Sequence, residues 1–118
     1  MLKLSHKKLT VWNISLELVS EIYKLTETYP VNEQYGLISQ MRRASISIVS
    51  NISEGAARRS KQEKIRFYEI ARSSLVELDA QIEISIKLEL VQRTNLSAVP
   101  DKMNSTFSLL TGLIKSCN

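Results

Sequence analysis

Apolar residues in this chain recur at steps of three and four over four long stretches, with only short polar breaks between them. A helix turns once per 3.6 residues, so this spacing stacks apolar side chains along one face. Val11, Ile14, Leu18, Ile22, Leu25 and Tyr29 mark the first stretch, widened by Trp12, Leu16, Val19 and Tyr23. The second runs through Leu37, Ile38, Met41, Ala44, Ile48, Val49, Ile52 and Ala56. Ile65, Tyr68, Ala71, Leu75, Leu78, Ile82 and Ile86 form the third, and Met103, Phe107, Leu110, Leu113, Ile114 and Cys117 the fourth. Each stripe needs another to cover it. No stretch sustains the alternation of a half-buried strand, and three glycines and two prolines are too few for a sandwich or barrel of many turns.

Local signals set the breaks. Pro30 ends the first helix, because the residue before a proline avoids helical backbone geometry. Glu33 suits the positive end of the second helix, which Gly55 and the Arg58–Arg59 pair close. Ser60 and Glu63 form a capping-box pattern at the start of the third helix, and Pro100 with Asp101 opens the fourth. The expected helices cover about 9–28, 33–58, 61–91 and 100–116. Short connections make sequential long helices antiparallel. The predicted fold is therefore all-α: one domain over 1–118, an antiparallel up-down-up-down four-helix bundle. A chain of 118 residues suits a single core.

The chemistry-bearing residues are sparse. One cysteine, Cys117, and one histidine, His6, can build neither an internal disulfide nor a zinc site. There is no Gly-rich phosphate loop and no nucleophile–base pattern. The expectation is a protein that is not an enzyme, with no cofactor and no metal. The N-terminus lacks the apolar run of a signal peptide and no segment reaches membrane-spanning length, which points to the cytoplasm and away from a membrane.

Charge is unevenly placed. Between Arg42 and Arg72 lie eight basic and three acidic residues, a local +5, while the remainder of the chain sums to −1. Clustered cations attract phosphates without reading sequence. The candidates for nucleic-acid contact are Arg42, Arg58, Arg59, Lys61, Lys64 and Arg72.

A second pattern lies on the same helix. Arg43, Ser47, Asn51, Glu54 and Arg58 follow steps of four and three, so they share a narrow arc beside the apolar face. Two readings stand: a solvated face carrying a Glu54–Arg58 pair, or a buried polar network between helices or subunits. The network candidates are Arg43, Ser47, Asn51 and Glu54, with Glu77 of the third helix as a partner for an arginine.

The stretches "SQMRRASISIVSNISEG" and "RFYEIARSSLVELDAQIEIS" resemble the bacterial four helix bundle protein family, also called the ribosomal RNA intervening-sequence protein family. "VW" near the N-terminus, "YPVNEQYGL" and "LLTGLIKS" fit as well, so the resemblance covers nearly the whole chain. It implies a four-helix protomer that assembles into a ring-like homo-oligomer, a homopentamer, without established enzymatic activity. A more distant similarity is to the accessory variability protein of diversity-generating retroelements, a basic pentameric barrel that associates with reverse transcriptase and nucleic acid. The matching positions are Arg42, Arg43, Ala44, Ser47, Ile48, Asn51, Ile52, Glu54 and Gly55, then Arg66, Phe67, Ala71, Arg72, Ser74 and Glu77. Ser73 departs from the pattern, which has glycine there.

The first helix also carries more apolar surface than one seam needs, from Val11 and Trp12 to Val19 and Tyr23, which points to self-association. The expected function is that of a non-enzymatic oligomeric accessory protein binding RNA or single-stranded DNA. The alternative is a scaffold for a partner protein encoded nearby, without nucleic-acid binding.

Overall fold

The computed structural model describes residues 1–117. Four long helices carry the chain: α1 (Thr10–Glu27), α2 (Ser39–Ala57), α3 (Lys61–Lys87) and α4 (Val99–Ser116). No strand occurs among the described residues. The apolar stripes meet as their spacing predicts, except that Phe107 of the fourth stays exposed. Leu18, Ile22, Met41, Ile48, Ile52, Leu78 and Leu110 lie fully buried in one aliphatic core.

Specific contacts fix which helix ends meet. Trp12 near the start of α1 donates to Ser53 near the end of α2 at 2.9 Å. At the other end, Arg42 in the first turns of α2 donates to Thr26 of α1, also at 2.9 Å. Lys102 of α4 pairs with Glu17 of α1 at 2.7 Å, and Arg72 of α3 donates to Thr111 of α4 at 3.1 Å. The molecule is elongated, 43 × 29 × 21 Å.

Two boundaries differ from the sequence expectation. The second helix starts at Ser39 rather than Glu33, because residues 31–38 form a 3-10 turn followed by a wide π turn. Gly36 leaves helical geometry there, with φ −110° and ψ −114°, while the Glu33 carboxylate accepts from the Leu37 amide at 3.3 Å. A Cβ on Gly36 would come within 3.0 Å of that carboxylate, so the bare backbone makes room for the cap. The third helix stops at Lys87 rather than Val91. The chain reverses through Glu89 at φ 60°, and two amides return to the helix end, Leu90 to the Ser85 carbonyl (2.9 Å) and Glu89 to Ile86 (3.0 Å). That is a Schellman ending with glutamate in the position glycine usually takes.

The helix-one surface expected to drive self-association is mostly covered within the protomer. Val11 is buried and Trp12, Val19 and Tyr23 are half-buried, leaving Leu16 as the exposed member. Exposed apolar side chains lie elsewhere, at Ile46 on α2, at Ile70 and Ile84 on α3, and at Val76 and Phe107, which line one cleft between α3 and α4.

Candidate nucleic-acid interface

The corner between α2 and α3 is held by local devices. Arg58 leaves the helix in extended geometry, and its amide returns to the Gly55 carbonyl at 3.1 Å. The Ser60 hydroxyl accepts from the Glu63 amide at 3.1 Å and so starts α3. Lys64 folds back and donates to the carbonyls of Ala56 (3.0 Å) and Gly55 (3.4 Å). A cation there satisfies orphan carbonyls and complements the negative end of α2.

The six cations proposed for nucleic-acid contact therefore divide. Arg42, Lys64 and Arg72 are struts. Arg42 bonds Thr26 and the Tyr23 carbonyl (3.4 Å) while its guanidinium lies 4.3 Å from the Tyr23 ring centroid. Arg72 bonds Thr111 and sits over Phe107 at 5.8 Å. All three are half-buried, because long basic side chains cover apolar surface with their stems and bond what they reach. Arg58, Arg59 and Lys61 are exposed at the corner. Arg58 pairs with Glu54, whereas Arg59 and Lys61 have no side-chain partner among the described residues.

Tertiary structure then adds cations that the segment count omits. The ring of His6 packs edge-on against Trp12 (centroids 5.0 Å apart), and Trp12 reaches Ser53, which brings the N-terminal segment to the corner end. The end of α4 arrives there too, since Gly112, Leu113 and Ser116 share a cleft with Leu9, Thr10 and Val11. Residues 1–13, 53–67 and 112–117 thus form one end of the molecule. That end carries nine basic residues (Lys3, Lys7, Lys8, Arg58, Arg59, Lys61, Lys64, Arg66 and Lys115) and two acids, Glu54 and Glu63, for +7. The remaining seven basic and ten acidic residues sum to −3. The charge is polarised along the long axis. Sequence reasoning missed the lysines at positions 3, 7, 8 and 115 because nothing in local spacing links the chain termini to residue 58.

The polar stripe does not form the buried network as a whole. Arg43, Glu54 and Glu77 are exposed, and only Ser47 and Asn51 turn into the α2–α3 groove, half-buried. The Ser47 and Ser74 hydroxyls lie 2.9 Å apart, and the Asn51 amide donates to the Ser47 hydroxyl at 3.0 Å and to its carbonyl at 2.8 Å. Glu77 meets no arginine; it accepts from Gln81 on its own helix at 3.1 Å. The reason is angular. Ser47 and Asn51 lie on the side of the arc nearest α3, while Arg43 and Glu54 project past it to solvent.

No group of three or more metal-ligating side chains occurs among the described residues, and no helix among them is long and apolar enough to cross a membrane. What the fold and this region define is an all-helical protein with a basic end. The 23S rRNA-intervening sequence protein family matches residues 7–112, and the chain belongs to that family. It is also similar to a crystal structure from Bacteroides thetaiotaomicron VPI-5482, described as a protein with unknown function from the S23 ribosomal protein family. The TM-score is 0.76 at 28% identity, over 89% of this chain and 95% of that one. Comparison with curated proteins gives no match.

Proposed function

We propose that this chain is a non-enzymatic cytoplasmic accessory protein, an up-down-up-down bundle that self-associates and binds RNA or single-stranded DNA through its basic end. The observation that carries the reading is the axial polarisation of charge, +7 against −3. A compact field of one sign attracts a polyanion, and each neutralised phosphate releases counterions. The 23S rRNA-intervening and S23 ribosomal labels of its relatives favour RNA. Self-association as a ring-like homo-oligomer, a pentamer in the reading favoured by the family resemblance, has support in the apolar groups left exposed on α2, α3 and α4.

Fluorescence anisotropy against salt concentration tests the binding. Changing Lys3, Lys8, Arg59 and Lys61 together to Gln should weaken binding to every sequence alike, since phosphate contacts position a ligand without reading bases. Each lost contact should lower the magnitude of the salt slope by roughly 0.7–0.9. Helix content should stay unchanged, because all four side chains are exposed. A wild-type protein that shifts no nucleic acid at low salt would transfer the proposal to a protein scaffold, whose partner a pull-down insensitive to nuclease would reveal.

A further inference from the structure

Two arginines at the basic end are arranged for something other than charge. The Arg58 guanidinium carbon lies over the Phe67 ring, 4.8 Å from its centroid, and that of Arg66 lies over the same ring at 5.5 Å. Each is also held by a carboxylate one turn away on its own side of the corner: Arg58 by Glu54, and Arg66 by Glu63 at 3.5 Å. These pairings offset the positive charge locally, so both groups contribute little net attraction to a phosphate. They do fix where the guanidinium groups sit. The side chains remain 42% and 65% exposed, so solvent-facing surface is left on groups already seated on the aromatic ring. Cations at the same end that lack a carboxylate, Arg59, Lys61 and Lys8, supply attraction to the backbone.

On this division of labour, and resting on the nucleic-acid reading above, we infer that the basic end selects unpaired over paired nucleic acid by stacking a base on the Phe67–Arg58 pair. Guanidinium planes and aromatic rings offer a base a flat polarisable surface, and stacking on them tolerates any base. In a duplex both faces of a base are already covered. Away from the duplex ends, only an unpaired base has a face to give. Phe67 is half-buried, so part of its side chain packs against the protein while the rest faces solvent. Gly55 permits this, since a Cβ there would come within 3.2 Å of the Phe67 Cβ.

The test uses three labelled probes of equal length: a single-stranded oligoadenylate, the same strand with abasic sugars, and a blunt duplex. The wild-type protein should bind oligoadenylate roughly tenfold more tightly than the abasic strand. Arg58→Lys keeps the charge and removes the plane, and Phe67→Leu keeps apolar bulk and removes the ring. Both should abolish the preference for bases while leaving abasic binding and the salt slope unchanged. Wild-type binding of oligoadenylate no tighter than that of the abasic strand or the duplex, or a preference that survives Arg58→Lys, overturns this inference and leaves the basic-end proposal standing. Failure to bind any of the three overturns both.

Discussion

The ring of Tyr68 lies directly on the backbone of Gly55, where an added Cβ would meet Tyr68 Cε1 at 2.6 Å and Cδ1 at 2.8 Å. Tyr68 is 3% exposed and cannot swing clear. Gly55→Ala should therefore destabilise the protein by about 1–3 kcal/mol through overpacking. Alanine's better helix propensity, worth up to ~1 kcal/mol, opposes this without reversing it. A thermal melt that rises in the variant would show that the contact gives way.

Glu89 should respond in the opposite direction. It holds a left-handed backbone conformation, φ 60°, that costs a side-chain-bearing residue about 1–2 kcal/mol and glycine almost nothing. Glu89→Gly should raise stability by roughly 0.5–1 kcal/mol, part of the relief being offset by the freer unfolded chain. Chemical denaturation midpoints at constant slope measure it.

Tyr29 and Tyr68 are both buried in the core and resist ionisation. Burial pushes both hydroxyls above the ordinary tyrosine range, and Cys117 adds to the rise at Tyr68. A tyrosine whose pKa is raised on folding favours the native state while neutral. That contribution is complete below about pH 10 and lost as the pH rises through the folded value. Tyr29→Phe should flatten the alkaline loss seen in urea melts. At neutral pH it should be neutral or slightly stabilising, because the Tyr29 hydroxyl is buried and makes no hydrogen bond. A marked loss at pH 7 would reveal a missing partner.

The polar stripe should divide in mutagenesis as it does in space. Asn51→Leu breaks the bonds to Ser47 in the α2–α3 groove and should cost about 1 kcal/mol or more. Glu54→Leu removes an exposed pair with Arg58 and should change stability by only a few tenths. Equal effects of the two in the isolated protomer would contradict this division.

Self-association is checked by light scattering at micromolar concentration. The expected mass is a multiple of 13.4 kDa. Substituting Ile70 and Ile84 by Lys should lower it if that face is the contact, since a like charge on each copy opposes docking.

The sequence by itself determined the helical class, the four stripes and most of the buried core, because burial at a 3.6-residue period is a local property of order. It also marked the corner: Gly55, the two arginines and Ser60 stand where α2 ends and α3 begins. It did not mark the end of α3, since no glycine stands at Glu89 to announce the reversal, nor the late start of α2, which depends on a cap folding under Gly36. The candidate site was legible only as a surplus of charge. Whether a lysine caps a helix, as Lys64 does, or faces water, as Lys61 does, depends on what its long side chain meets in space. The joining of Lys3 and Lys8 to a corner some fifty residues away in sequence was decided by tertiary packing, through Trp12 and Ser53. Local spacing fixes which face of a helix is apolar; only the packed chain fixes which ends come together and which charges are left over.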